Sequence, residues 1–253
     1  MTRIIMCDCN GHMGRVIADL VAEDKDAEIV AGIDITGQKD RPFPVYESLA
    51  EVKEEADVLI DFTSPKLLTK LLRDAKAIDM PLVLCTTGYS AEQIDEIREA
   101  SDDIPILRSA NMSLGVNTLL KLVQNASRVL APEGFDIEIV ERHHRLKLDA
   151  PSGTAIAIAD AINEALPEPR DYVYDRSQRR MQRPADEIGI SAVRGGTIVG
   201  EHEVIFAGTD EVIEIRHTAY SKAIFGKGAV AAAKYLSGRA PGMYDMQDAI
   251  DEQ

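Results

Sequence analysis

Short apolar runs recur through the first half of the chain, and each stops in a polar or glycine-containing loop. Residues 2–7 form one such run, of the kind shown by a strand buried on both faces of a parallel sheet. Asn10-Gly-His-Met-Gly14 follows directly, and residues 15–22 continue at helical period. A second apolar strand, 27–33, ends on Asp34, twenty residues after Gly14. Strand, glycine turn, helix and strand make a βαβ unit. Residues 56–61, 81–85 and 104–107 read as further strands, running into Phe62-Thr-Ser-Pro65, Thr86-Thr-Gly88 and Ser109-Ala-Asn-Met112. Pro65 suits the first turn of a helix over 65–78, and Ser90 suits the cap of the next one. In a doubly wound sheet such loops share the carboxyl edge, where ligands bind.

Residues 116–130 are apolar at helical period until Pro132-Glu-Gly134 breaks them, and 135–140 then alternate apolar and acidic residues, the pattern of a strand with one polar face. A stretch with no hydrophobic core of its own runs from Glu141 to Ala155 and leads into a helix over 155–162 that Ser152 can cap. The polar, arginine-containing connection 171–184 reads as a long loop, mobile or in contact with another subunit. Three strands are expected after it, at 188–193, 198–207 and 212–218. An Ala-rich helix over 229–236 has no obvious solvated face along most of its length and is expected to pack back on the first sheet. The fold class is therefore α/β: a Rossmann-type doubly wound parallel sheet plus a second α+β domain with a mostly antiparallel (mixed) sheet. The expected division is 1–112 with 221–253 for dinucleotide binding and 113–220 for substrate binding and oligomerisation, with hinges at the two crossings.

At 253 residues the chain can bury a sizeable core. No apolar run approaches the roughly 20 residues of a membrane span, and the N-terminus lacks the apolar stretch of a secretory signal, so the reading is a soluble cytoplasmic protein with no membrane partner. Cys7, Cys9 and Cys85 are too few for a disulfide framework and suit a reducing compartment. The formal net charge of -15, with no Lys/Arg stripe, argues against a nucleic-acid partner. Cys7-x-Cys9 with His12 nearby falls short of a zinc ligand set, so no metal is expected.

The candidate chemistry falls in two places. Gly11 lets a backbone approach a pyrophosphate, Gly14 permits close helix packing, the helix N-terminus offers N–H groups, and Asp34 stands where the ribose-binding acid belongs. Asp8 takes the place of the usual first glycine, and an acid so near a pyrophosphate is unwelcome unless its side chain turns away, for instance to cap a neighbouring N–H. A strand-to-helix turn that binds nothing is the alternative. The second place is the polar stretch itself, where His143, His144, Lys147 and the Ser152-Gly153-Thr154 turn form an anion site. In extended backbone the two histidines point to opposite sides, so only one need face a substrate. The stretch lacks the spacing of a zinc hydrolase, a P-loop or a hydrolase elbow. His202 and His217 are expected to be sheet-surface residues.

Glu141 to Ala155 resembles, nearly residue for residue, the central motif of the 4-hydroxy-tetrahydrodipicolinate reductase (dihydrodipicolinate reductase) family. Gly11-His-Met-Gly14, Asp34, Asp61-Phe-Thr63, Thr86-Thr-Gly88, Ala110-Asn-Met-Ser-Leu-Gly115 and Arg194-Gly-Gly with Val199-Gly-Glu-His202 extend the resemblance over almost the whole chain. The resemblance implies reduction of a cyclic, imine-type dicarboxylate by NADH or NADPH in the diaminopimelate route to lysine, by a homotetramer. It implies His143 as acid–base group and Lys147 as proton donor, with His144, Ser152, Gly153 and Thr154 holding the substrate carboxylates. For the cofactor it implies Asn10, Gly11, Met13, Gly14, Asp34, Phe62, Cys85, Thr86, Thr87, Ala110, Asn111, Met112 and Lys222. Cys85 stands where the family generally has glycine, Lys222 where it can have arginine, and core packing is the alternative for Met112. Ile35 follows Asp34, with Lys39 and Arg41 farther along, and an acid without a basic partner disfavours a 2′-phosphate, so NADH is the expected coenzyme and NADPH the alternative. A different imine or amino-acid dehydrogenase and a non-catalytic dinucleotide sensor are the competing classes.

Overall fold

The structure, a computed structural model, describes residues 1–36, 40–109 and 111–252. The chain forms two compact units, Met1–Leu114 with Ala223–Gln253, and Gly115–Lys222.

The first unit opens with β1 (Thr2–Cys7), α1 (His12–Ala22) and β2 (Ala27–Ile33), the anticipated βαβ unit. It continues through β3 (Val45–Tyr46), β4 (Val58–Asp61), α2 (Leu68–Lys76), β5 (Leu82–Leu84), α3 (Ala91–Ser101) and β6 (Pro105–Arg108). The seven-stranded sheet runs β3-β2-β1-β4-β5-β6 and then a last strand from the C-terminus, with every neighbouring pair parallel. Strand alternation divides its core: Ile4, Met6, Val58 and Ile60 enter one apolar cluster, while Ile5, Cys7 and Leu59 enter another against Leu68, Leu72 and Ile97 of α2 and α3. Each fully buried Ile or Leu among them contributes roughly 1.5–3 kcal/mol. Because both faces are covered, these strands read as unbroken apolar runs rather than alternating ones.

In the second unit, α4 (Leu114–Leu130), whose first residue still belongs to the first unit, is followed by β7 (Asp136–His143), α5 (Gly153–Glu164), β8 (Asp171–Tyr174), β9 (Glu187–Arg194), β10 (Gly200–Ala207) and β11 (Val212–Ala219). The sheet order is β11-β10-β7-β9-β8, mixed, with antiparallel pairing of β10 to both β11 and β7 and parallel pairing of β9 to both β7 and β8. Its inner face packs Ile137, Ile139, Val204 and Phe206 against Leu119, Val123, Ile158 and Ile162 of the two helices. The segment 171–184 differs from the expected loop. It begins with β8, and Arg176, Arg179 and Arg183 beyond it form ion pairs of 2.5–2.9 Å with Glu138, Glu187 and Asp136. A four-residue strand is too short to show a period, and the arginines' acidic partners lie far away in sequence.

The chain returns to the first unit with α6 (Ala223–Leu236), β12 (Gly242–Tyr244) and α7 (Met246–Asp251). As expected, the Ala-rich helix packs on the parallel sheet, placing Ala229, Val230, Ala233 and Leu236 in the cluster with Ile4 and Ile60. It starts six residues earlier than its apolar run and absorbs Gly226 and Gly228. Gly228 is there for proximity: a Cβ would collide with the carbonyl oxygen of Met112. Gly228→Ala should therefore cost about 1–3 kcal/mol of overpacking, read as a lower urea midpoint. Gly195→Ala, where the new methyl would meet nothing within 4 Å, should leave the midpoint nearly unchanged.

Candidate active site

The polar stretch is built on the end of β7. Alternation puts Ile137, Ile139, Glu141 and His143 on the buried face and Asp136, Glu138, Val140 and Arg142 on the other. The strand thus runs three residues into the stretch. Register does the rest, setting His202 of β10 opposite Glu141 and Arg194 of β9 opposite His143.

Glu141 is 0% exposed, and its carboxylate has four donors around it. Arg194 donates from Nη1 and Nη2 at 2.7 Å each, the Ser152 N–H donates at 3.0 Å, and His143 Nδ1 lies 2.6 Å away. Burial pushes the Glu141 carboxyl up, but the bonds from Arg194, His143 and Ser152 outweigh it and hold the group below its usual range. Arg194 Nη2 also donates to the Asp149 carbonyl at 2.6 Å, tying the far end of the stretch to the same cation.

After His143 the chain turns, with the Lys147 N–H donating to the His144 carbonyl at 3.1 Å. The Lys147 ammonium lies 2.9 Å from Asp149 Oδ1 and holds that carboxyl below its usual range. Ser152 caps α5 by accepting the Ala155 N–H at 3.2 Å, and its hydroxyl is 3.0 Å from His202 Nε2. Gly153 is exposed beside it and Thr154 half-buried, so the first turn of α5 lies next to Lys147's partner and Glu141's donor. His143 is 8% exposed, whereas His144 is half-buried with no Nδ1 partner among the described residues.

His202 corrects the sequence reading. It is 4% exposed, its ring meets that of His143 edge-on at 5.2 Å, and burial, with His143 next in weight, lowers its pKa to about 4. It is a neutral member of the cluster at neutral pH. Glu141, Arg194 and His202 were absent from the expected site residues. The signal available for the first was Glu-x-His at the end of a strand, a spacing that puts both side chains on one face.

In the first unit, the strand order reverses between β1 and β4, the switch point at which an open α/β sheet binds ligands. A cleft of about 490 Å3 opens there, lined by Asp8, Ile33, Asp34, Leu49, Asp61 and Leu71 among others. Asp34 accepts the Asn10 N–H at 3.0 Å and the Thr36 N–H and hydroxyl at 2.8 and 2.6 Å. Asp61 accepts the Thr63 hydroxyl at 2.6 Å and the Thr86 hydroxyl at 2.8 Å, which joins the loops after β4 and β5. Asp8 has the left-handed φ of 61°, which aspartate tolerates. Instead of capping an N–H, its carboxylate lies over Gly11 and accepts no hydrogen bond among the described residues, and burial followed by Asp34 and Asp61 pushes its pKa up.

The other expected cofactor residues lie in several separate segments. Gly11 caps α1, Met13 and Gly14 lie in its first turn, Phe62 is half-buried and Thr87 exposed. The Cys85 side chain is buried in the core, so what it can offer at the surface is backbone. Met112 is 4% exposed in the same cluster. Asn111 Oδ1 accepts the Ser113 N–H at 2.8 Å. Ala110 and Lys39 lie outside the described residues. Lys222 is exposed before α6 and ends the second unit. Among the described residues no group of His, Cys, Asp or Glu could hold a metal ion, and no helix is long and apolar enough to cross a membrane.

A parallel sheet with a glycine turn after β1, an acid at the end of β2 and a cleft at its switch point is the framework of a pyridine-nucleotide-dependent oxidoreductase. The chain matches the family models for the N-terminus of dihydrodipicolinate reductase over residues 2–112 and for its C-terminus over residues 115–250, and it belongs to that family. It is 56% identical to the 4-hydroxy-tetrahydrodipicolinate reductase of Caldanaerobacter subterraneus subsp. tengcongensis over 99% of this chain and 98% of the relative. The reductase of the same name from Clostridium tetani is 47% identical over 97% and 96% of the two chains. The fold is shared with a dipicolinate-bound dihydrodipicolinate reductase from Paenisporosarcina sp. TG-14, at a TM-score of 0.82 and 22% identity over 99% of both chains.

Because the Glu141 carboxyl is held low in the folded chain, it contributes stability that is present above the unfolded value of about 4.3 and is lost as pH falls through the folded one. Arg194→Met strands that buried charge. The expected result is a loss of about 3–5 kcal/mol at pH 7 that shrinks towards pH 3, measured by urea unfolding across that range. A loss independent of pH would rule out the charge as its cause.

Proposed function

We propose that this oxidoreductase reduces 4-hydroxy-tetrahydrodipicolinate to tetrahydrodipicolinate, the 4-hydroxyl leaving as water, in the diaminopimelate route to lysine, with NADH preferred to NADPH. One observation carries the reading: the buried Glu141–His143 pair is bonded to the turn that starts α5, with Lys147 in the turn that follows His143, an arrangement with the charge and hydrogen-bonding capacity to take a small dicarboxylate and a proton. The names of the relatives support it.

In this reading the second unit binds substrate. The hydroxyl of Ser152, the N–H groups of Gly153 and Thr154 and the ring of His144 hold the two carboxylates, where the helix N-terminus favours negative charge. His143 handles a proton as acid–base group. Lys147 delivers one to the position where negative charge develops, and its ammonium stabilises that charge until transfer. The first unit binds the dinucleotide through Asn10, Gly11, Met13 and Gly14 at the phosphates and Asp34 at the adenosine ribose, with Phe62, Cys85, Thr86, Thr87, Ala110, Asn111 and Met112 towards the nicotinamide; Lys222, the last residue of the second unit, is the remaining cofactor residue. The residues fit such a group: α1 has no acid in its first turn, and Asp34 is only 6% exposed beside the cleft. When bound, the dihydronicotinamide supplies the hydride.

The coenzyme preference rests on Asp34. Its carboxylate would repel a 2′-phosphate, and Arg41 is already engaged, donating from Nε to Asn10 Oδ1 at 3.1 Å and from Nη2 to the Cys9 carbonyl at 2.5 Å. A cytoplasmic homotetramer completes the proposal. Three buried free cysteines suit that compartment, and β11, a sheet edge with Val212 and Ile213 exposed, suits subunit contact.

The direct test is NADH oxidation with substrate made in situ from pyruvate and aspartate semialdehyde by the preceding enzyme. NADH binding without turnover would instead mark a dinucleotide sensor. Lys147→Ala should lower kcat by about 10²-fold or more while NADH binding, followed by fluorescence, survives; equal loss of both would refute this division of labour. The kcat/KM ratio should favour NADH, and a much higher value with NADPH would overturn the assignment to Asp34.

A further inference from the structure

Two adjacent histidines enter the site, and the structure treats them differently. His143 Nδ1 lies 2.6 Å from Glu141 Oε2, whereas His144 Nδ1 has no partner among the described residues. We infer that Glu141, held in place by Arg194, is the positioning residue that orients His143 and fixes which of its ring nitrogens exchanges the proton. The inference rests on the reading of His143 as the acid–base group and goes beyond it.

The argument is one of donors and acceptors. An ionised carboxylate only accepts, so the ring nitrogen facing it must donate. Arg194 binds Glu141 bidentately and the Ser152 N–H adds a third donor, so the carboxylate is kept ionised although it is fully buried. His143 therefore keeps its proton on Nδ1 whether the ring is neutral or charged. The proton it exchanges is the one on Nε2.

Nε2 has an opening. Gly200 of β10 stands beside it, and a Cβ at that position would lie 3.1 Å from Nε2 and 3.4 Å from Cδ2. A side chain there would crowd the working nitrogen; glycine leaves it room. The groups facing His143 from the neighbouring elements are Glu141 on its own strand, Arg194 on β9 and His202 on β10, with Lys147 in the turn that follows. Glu141 is the acceptor among them that meets the ring directly. It also accepts the Ser152 N–H, so the same carboxylate sets the distance between the proton-transfer ring and the anion-binding turn.

Long-range 1H–15N correlation spectra of the whole enzyme, assigned by comparison with His143→Asn, read the tautomer without any assay. Nδ1 should appear protonated and Nε2 as the lone-pair nitrogen in the neutral ring; the opposite tautomer overturns the inference. Glu141→Gln should mix the tautomers and lower kcat by about 10²-fold, with KM for NADH unchanged. If it does not fold, Glu141→Gln with Arg194→Gln, which removes both charges together, replaces it. Gly200→Ala should lower kcat while the Nδ1–H tautomer persists, and an unchanged kcat there would show that Nε2 is not the working atom. His143→Ala addresses the underlying reading separately: full activity in that variant would sink the acid–base role, while the tautomer spectrum would still decide whether Glu141 orients the ring.

Discussion

A carboxylate with no solvent exposure must be compensated where it stands, because an uncompensated buried charge costs several kcal/mol. Glu141 meets that condition with donors from separate parts of the second unit: the guanidinium of Arg194 from β9, a backbone N–H from the turn before α5, and the ring of His143 from its own strand. Removing any of them would leave the charge less well paired. The electrostatic need of one side chain therefore brings the sheet, the helix start and the imidazole to fixed separations. Stability and site geometry share a cause here, with Glu141 at their junction.

The first unit handles its acids differently. Asp8, Asp34 and Asp61 stand at or just beyond the carboxyl ends of β1, β2 and β4, around one cleft. Asp61 is buried and pushed up despite its bonds from Thr63 and Thr86, and Asp8 is pushed up with no hydrogen bond among the described residues to offset its burial. Asp34 is buried as well, yet the bonds from Thr36 and Asn10 outweigh burial and keep it low. Of the three, Asp34 is the one whose hydrogen bonds outweigh its burial.

Legibility in the sequence followed the range over which each feature is determined. β1, β2 and β4, α4 and the Ala-rich part of α6 announced themselves through runs or periods long enough to read, and so did the strands of the second sheet, though not the parallel pairing of β9 with β7 and β8. β3, β8 and β12 have two to four residues and no period. Their existence depends on partners already in place, since each adds to the edge of a sheet. His202 was misread for a related reason. One histidine in an alternating strand is compatible with either face, and burial is decided by register with β7, which sets it against Glu141. Local signals marked the anion-binding turn well: Ser152 as cap and the stretch without apolar residues are short-range features. The residues that organise it, Glu141 and Arg194, are 53 positions apart and could be joined only by the fold.

The choice between the two histidines can be traced to apolar residues that touch no substrate. β7 alternates strictly, and Ile137 and Ile139 are both fully buried in the core of the second unit. A slip of one residue would turn them outward and bury Glu138 and Arg142 in their place, at a cost that the outer-face pairs of those residues with Arg176, Arg183, Glu201 and Glu203 make larger still. With the register fixed upstream by those two residues, Glu141 and His143 must face inward together and Arg142 must face the other way. Hydrophobic burial thus decides which imidazole meets the carboxylate, and the carboxylate decides which nitrogen of that imidazole is left to react.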